Sequence, residues 1–267
     1  MTEEHYVIAT GKKGRDRLRV LTRVFAETTT RLLDAVDIRH GMACLDVGCG
    51  GGDIACDFAR RVGPGGSVVG IDLDDVSLDI ARQEAAAQNL GNIEYRVLDV
   101  FDLADSERFD VVYARFLLSH LPDPAGALAR MVGALRRGEV LAVEDVEFSA
   151  HFCFPDCPAF SDYVRLYGAA ARAKGDDPDI GPRLPSLLRD AGLGDIDMHV
   201  VQPAGVRGEV KLLSAITMEM IGEAVVSTGL ASADRVASIV DGLHAAAGDD
   251  RTVLSTPRIV QAWGRKR

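Results

Sequence analysis

A run of glycines flanked by acids carries the first chemical signal in the chain. Leu45-Asp46-Val47-Gly48-Cys49-Gly50-Gly51-Gly52-Asp53 joins an apolar strand-like run (ACLDVG, 43–48) to a helical pattern over 52–62. Glycines at such a junction let the backbone turn tightly and approach a ligand that a Cβ would exclude. The helix N-terminus adds free N–H groups. The dinucleotide pattern G-x-G-x-x-G fails here, because counting from Gly48 its third glycine is Asp53. Acids at Asp46 and Asp53 disfavour a pyrophosphate and suit a ligand with a positive amino group. Asp72, in Val69-Gly70-Ile71-Asp72-Leu73, ends the next strand, where a carboxylate can accept both hydroxyls of an adenosine ribose. Asp99, in Arg96-Val97-Leu98-Asp99-Val100, ends a third strand and can accept the exocyclic amine of adenine, with Val100 beside the ring. Each acid alone also fits a helix cap or a turn. Together, at the carboxyl ends of three strands, they describe one nucleoside site.

Proton transfer has separate candidates. His120, in Leu118-Ser119-His120-Leu121-Pro122, follows a fourth strand, and imidazole titrates near working pH. Asp145, at the end of a fifth strand, is the partner expected to orient it. A structural role for His120, beside the helix that Asp123-Pro124 opens, is the alternative. Cys49 would sit at a helix N-terminus, where thiol pKa values fall, but the preferred reading is a small residue in a tight loop. His151, Cys153 and Cys157 surround a proline with no fourth ligand nearby, so no metal is expected.

The elements that must position these residues follow from periodicity. Residues 15–36, with Leu18, Leu21, Phe25, Thr28 and Leu32 at helical spacing, read as an amphipathic helix. Strands are expected at 43–48, 67–72, 93–98, 109–114 and 140–146, with helices at 52–62, 76–89 and from Asp123 to about Arg137. The last carries Leu128, Met131, Val132 and Leu135 inward. Strands buried on both faces, with helices between, imply a parallel sheet with right-handed crossovers. The second half reads as helices at 156–173, 182–191, 209–226 and 233–247, with strands at 196–202 and 259–263. Leu213, Ile216, Met220 and Ile221 are expected inside the third of these helices, and Val236, Ile239, Val240 and Leu243 inside the fourth. The tally is seven strands, the last placed to run antiparallel.

Length and composition bound the reading. The chain has 267 residues, 47% of them hydrophobic and 26% charged, enough for one α/β domain with additions. No apolar run approaches a membrane span and the N-terminus lacks a secretory pattern. The five cysteines are scattered and odd in number, which predicts free thiols and a cytoplasmic location. A net charge of −10 disfavours nucleic acid as a partner, and the basic clusters Lys12–Arg19 and Arg265-Lys266-Arg267 read as solvated.

These motifs resemble the class I, Rossmann-like S-adenosylmethionine-dependent methyltransferases, in the branch that includes ubiquinone/menaquinone-pathway and natural-product enzymes. The resemblance runs from about Met42 to Glu147. LDVGCGGG is similar to the family's cofactor loop, GIDL to its ribose acid, RVLDV to its adenine acid, and FDVVYARFLLSHLPDP to its fourth-strand segment. It implies a seven-stranded, mostly parallel sheet in the order 3-2-1-4-5-7-6, with the last strand antiparallel. It implies S-adenosyl-L-methionine as cofactor and S-adenosyl-L-homocysteine as product. Asp46, Gly48, Cys49, Gly50, Gly52, Asp72, Leu73, Asp99, Val100 and Arg115 would form the cofactor site, with Arg115 near the methionine portion. Some sugar-modifying relatives pair a histidine and an aspartate from these segments; the aspartate matches Asp145 and the histidine falls at Ser119 or His120. Arg137-Gly138-Glu139 departs from the family's Pro-Gly-Gly turn.

The expected organisation is a single methyltransferase domain. Residues 1–40 form a helical lid (Tyr6 and Gly11 lie in it), 41–147 the cofactor core, and 148–181 and 204–256 helical insertions over the substrate. Phe148, Phe152, Phe154, Phe160, Tyr163 and Tyr167 line a substrate pocket or fill a joint. The expected activity is methyl transfer to a small-molecule acceptor at O, N or C, in a soluble protein whose late helices leave faces for a homodimer. The alternative is a cofactor-binding cyclase or regulator on the same fold. Ala114-Arg115-Phe116-Leu117 lacks both the Asp/Asn-Pro-Pro-aromatic run of amino-methylating nucleic-acid enzymes and the acid of metal-dependent catechol enzymes.

Overall fold

A computed structural model describes residues 11–267, with side chains from Arg17 onward. Tyr6 lies outside the described residues. The chain divides into two compact units. One comprises residues 28–145, 180–199 and 260–267; the other comprises the described residues through Glu27, then 146–179 and 200–259.

The elements follow in chain order: α1 (Gly11–Ala35), β1 (Ala43–Val47), α2 (Asp53–Val62), β2 (Ser67–Asp72), α3 (Asp75–Ala87), β3 (Ile93–Val97), β4 (Phe109–Arg115), α4 (Pro124–Ala134), β5 (Leu135–Glu147), β6 (Cys153–Phe154), α5 (Pro158–Lys174), α6 (Leu184–Asp190), β7 (Leu193–Val201), β8 (Ala204–Gly205), α7 (Leu213–Ser227), α8 (Ala233–Gly248), β9 (Val253–Ser255) and β10 (Arg258–Lys266). Seven strands form one sheet in the order β3-β2-β1-β4-β5-β10-β7, which numbered along the chain is 3-2-1-4-5-7-6. β1 pairs in parallel with β2 and β4, β2 with β3, and β4 with β5.

The period of two along each strand sorts side chains to the two faces. Leu45, Val47, Val112, Ala114, Leu141 and Val143 pack with Leu128 and Met131 of α4 and Leu184 and Leu188 of α6. Cys44, Val111, Tyr113, Val140 and Ala142 face the other way, with Leu32 and Leu33 of α1 and Phe58 and Val62 of α2. Asp123 caps α4 by accepting from Gly126 N, with Pro124 at the first turn.

Three expectations change. The helix from Asp123 stops at Ala134, and Arg137-Gly138-Glu139 is no separate turn. It lies within β5, where Phe109 pairs Leu135 and Val111 pairs Val140, so the extra residues bulge at Gly138 (φ 81°). On α7, Ile216 and Met220 are only half-buried, whereas Ala215, Thr217, Met218 and Val225 are buried. Beyond the seven strands, β6, β9 and β8 form a small sheet of their own, β6 and β8 each antiparallel to β9. Strands of two or three residues carry no readable alternation.

In this second unit Phe148, Phe160, Tyr163, Leu166 and Tyr167 form an apolar core with Ala215, Met218, Ile221, Ile239 and Leu243. Phe148 and Tyr167 stack at 3.7 Å. The rings at Phe152 and Phe154 are exposed, so four of the six aromatics expected to act together do so. Lys211 is buried at 1% exposure and donates to the carbonyls of Val206 (3.1 Å) and Asp249 (2.7 Å), pinning two loops.

Candidate functional site

The glycine loop is held by β2. Gly48 N and Cys49 N both donate to Ile71 O, at 2.8 and 3.0 Å, and Gly50 N donates to Asp72 Oδ2 at 2.8 Å. Gly48, Gly50 and Gly52 have φ of 70°, 49° and 78°, the left-handed region that L side chains resist. At Gly52 space is limiting as well: a Cβ would lie 2.5 Å from Tyr95 Oη and 2.8 Å from Ala81 Cβ. α2 starts directly after this residue.

Asp46 is the penultimate residue of β1 beside the loop, 2% exposed, on the sheet face shared with Cys44 and Tyr113. Its Oδ2 is buried with no hydrogen-bond partner. Burial pushes the carboxyl up to about 7; Arg115 offsets this in part and Asp72 adds to it. Asp72 accepts from Asp74 N through Oδ1 (3.0 Å) as well as from Gly50, and burial raises it too. Leu73 beside it is 37% exposed, an apolar surface at the strand end. Asp99 Oδ1 accepts from Phe101 N at 3.0 Å and caps a short 3-10 turn, so the cap is built alongside any ligand role. Val100 is 6% exposed within the core, which commits its side chain to packing. The three acids stand at the ends of adjacent strands β1, β2 and β3.

Cys49 fits the reading of a small loop residue and not that of an activated thiol. Its thiol lies well above the ordinary value, because burial and the nearby Asp46 and Asp72 carboxylates outweigh the helix terminus.

Arg115 ends β4, in register with Glu144 on β5. Its Nη1 donates to Thr29 Oγ1 at 3.4 Å, and the hydroxyl donates to Glu144 Oε1 at 3.0 Å. Tyr113 Oη also donates to Glu144 Oε1, and Gln261 Nε2 to Oε2 at 2.6 Å. Glu144 is 2% exposed, so this is a buried carboxylate served by three donors next to the cation that faces Asp46. Sequence reading missed it. The available signal was two consecutive acids inside a buried strand, which must point to opposite faces.

Asp145 therefore points the other way, and its Oδ2 accepts from Ser119 N at 3.0 Å. Ser119 and His120 belong to one 3-10 turn (Leu118–His120), with His120 N bonded to Leu117 O. The carboxylate thus grips the backbone of the turn that presents His120.

In the other unit His151, Cys153, Asp156 and Cys157 line a cleft of about 390 Å³. His151 Nδ1 meets Phe148 O at 2.7 Å, and burial lowers the imidazole to about 4. All five cysteines are unbridged, and among the described residues no cluster of three metal-ligating side chains occurs. No helix among them is long and apolar enough to cross a membrane.

Comparison with known proteins agrees with this geometry. Nocamycin O-methyltransferase of Saccharothrix syringae is 42% identical over 113 residues, covering 42% of this chain and 40% of that protein. A ubiquinone biosynthesis O-methyltransferase of Acinetobacter baylyi is 41% identical over 90 residues, covering 33% and 37%. The chain thus spans about two-fifths of the length of these curated relatives. A protein of Bacillus halodurans, solved as a candidate methyltransferase, shares the fold with a TM-score of 0.60 at 18% identity, over 89% of this chain and 98% of that one. A family model described as methyltransferase domain matches residues 38–173, just over half the chain. On that match, and on a glycine loop and three strand-end acids set in a 3-2-1-4-5-7-6 sheet, the chain belongs to the methyltransferase-domain family.

Proposed function

We propose that the chain transfers a methyl group from S-adenosyl-L-methionine to a small-molecule acceptor, leaving S-adenosyl-L-homocysteine. The observation that carries this is Asp46 Oδ2, a buried carboxylate oxygen without a partner beside the glycine loop. An ammonium-bearing ligand satisfies it, whereas a pyrophosphate would be repelled.

On this reading Asp46 receives the amino group and Gly48, Cys49, Gly50 and Gly52 supply the close-approach loop. Asp72 takes the ribose hydroxyls on lone pairs left by Gly50 and Asp74. Asp99 takes the adenine amine, Leu73 flanks the ring, and Arg115 serves the methionine carboxylate. Bound there, the cofactor supplies an electrophilic methyl group on a sulfonium. His120 accepts the acceptor's proton at a ring nitrogen, and Asp145, through Ser119 N–H, holds the turn that aims it. Both curated relatives are O-methyltransferases by name, which supports an oxygen acceptor. The segments 148–181 and 204–256 are insertions of one methyltransferase domain that select the acceptor. Unbridged cysteines fit a cytoplasmic enzyme.

Calorimetric titration with S-adenosyl-L-homocysteine, with NAD as control, tests the reading. Binding of the first alone, lost in Asp72→Ala and Asp99→Ala, is expected; binding of NAD alone overturns it. An acceptor screen reading S-adenosyl-L-homocysteine release then separates methyl transfer from a cofactor-bound cyclase or regulator.

A further inference from the structure

Two of the five thiols, Cys153 and Cys157, take no part in the proposed methyl transfer and share one cleft. Only Phe154, Pro155 and Asp156 separate them in the chain, and both line the cleft of about 390 Å³ beside His151. Each is partly exposed, whereas Cys44 and Cys56 are buried. The Cys153 side chain is hydrogen-bonded to that of Cys157, and its thiol also meets Pro155 O at 3.2 Å. Both segments are anchored. Cys153 lies in β6, in register with Leu254 of β9. Cys157 is the N-cap residue of α5, and its carbonyl accepts from Phe160 N at 3.0 Å and Ser161 N at 3.1 Å. The turn between them is therefore fixed at both ends, and two sulfurs that would roam in a loose chain are held together.

The two thiols are not equivalent. Burial, the adjoining Cys157 and the Asp156 carboxylate push the Cys153 thiol up to about 11, and Lys211 offsets this only in part. Cys153 therefore keeps its proton near neutral pH, which suits it to the second step of an exchange and leaves the first attack to Cys157.

We propose that Cys153 and Cys157 are a redox-sensitive pair, closed to an intramolecular disulfide by exchange with a low-molecular-weight disulfide such as oxidised glutathione. Cys157 gives its proton to water and attacks one sulfur of the external disulfide. A mixed disulfide forms, and the released thiolate takes up a proton. Cys153 then gives its proton to water and attacks Cys157 Sγ, and the second external thiolate leaves and is protonated. Two protein thiols are oxidised and one external disulfide is reduced to two thiols. The new bond ties β6 to the start of α5. A transient bridge of this kind is compatible with a reducing compartment, and the pair does not depend on the transferase reading.

Thiol trapping with mass spectrometry tests this. The full chain is equilibrated with oxidised and reduced glutathione, quenched in acid, unfolded, alkylated and digested with trypsin, which leaves both cysteines in the peptide 138–165. That peptide is expected to lose both alkyl groups together and to be lighter by two hydrogens than its fully reduced form. Cys44 and Cys56 should stay alkylated, and dithiothreitol should restore both labels. The same chain in urea, at the same glutathione ratio, should close the pair at least about 10-fold less. Cys153→Ser should stop at a glutathione adduct on Cys157, and Cys157→Ser should take up glutathione at least about 10-fold more slowly. The wild-type and urea arms carry the test if either variant fails to fold. Retention of both alkyl groups in excess oxidised glutathione, a mixed disulfide as the wild-type end point, or equal closure in urea overturns the proposal. Equal uptake by the two variants overturns Cys157 as the attacking sulfur.

Discussion

Asp46→Asn should stabilise the protein at alkaline pH while weakening its hold on the nucleoside. Buried at 2% exposure, Asp46 has its pKa raised from 3.8 to about 7, chiefly by desolvation. The folded state therefore holds a proton that the unfolded state has released between about pH 4 and pH 7. Stability from this group is full below about pH 4 and is lost as pH rises through about 7. At about 1.36 kcal/mol per unit, the shift corresponds to a ceiling of about 4 kcal/mol. The amide abolishes the titration but puts a donor where Oδ2 has no partner, at about 1–3 kcal/mol. The expected net is a gain of about 1–3 kcal/mol over wild type at pH 8 and near equality at pH 4.5. Urea denaturation of both proteins at both pH values reads this directly, because the double difference cancels every other titrating group. Titration with S-adenosyl-L-homocysteine should show at least about 10-fold weaker binding in the variant. A variant that gains nothing on wild type between pH 4.5 and 8 would refute the reasoning.

Gly52→Ala should lower stability by about 2 kcal/mol or more, since φ is 78° and a Cβ would lie 2.5 Å from Tyr95 Oη; thermal melts check this, with partial rescue expected from Tyr95→Phe. Glu144→Ala strips the acceptor from Thr29, Tyr113 and Gln261 inside the sheet and should cost about 3–5 kcal/mol in a denaturant titration, with Glu144→Gln milder. His120→Ala should reduce turnover about 10²–10⁴-fold with nucleoside binding unchanged, read as S-adenosyl-L-homocysteine release under saturating cofactor.

The glycine loop, the strand-end acids and the alternation of strands and helices were legible in the sequence because each is a local property. A left-handed glycine, a capping aspartate or a doubly buried strand is specified within a few residues of chain. The 3-2-1-4-5-7-6 order followed from resemblance and is the order found. What lay beyond the sequence depends on register between strands distant in the chain. Only the pairing of Arg115 with Glu144, and of Asp46 with Tyr113, brings those four side chains to one sheet face. The bulge at Gly138 offsets β5 against β4 and so sets the Arg115–Glu144 pairing. Asp145, one residue along, consequently faces away from Glu144 and grips Ser119 N. The sequence by itself determined which groups the protein owns and the local turns that expose them. Tertiary structure decided which of those groups lose their water together, and it is that shared desolvation that raises Asp46.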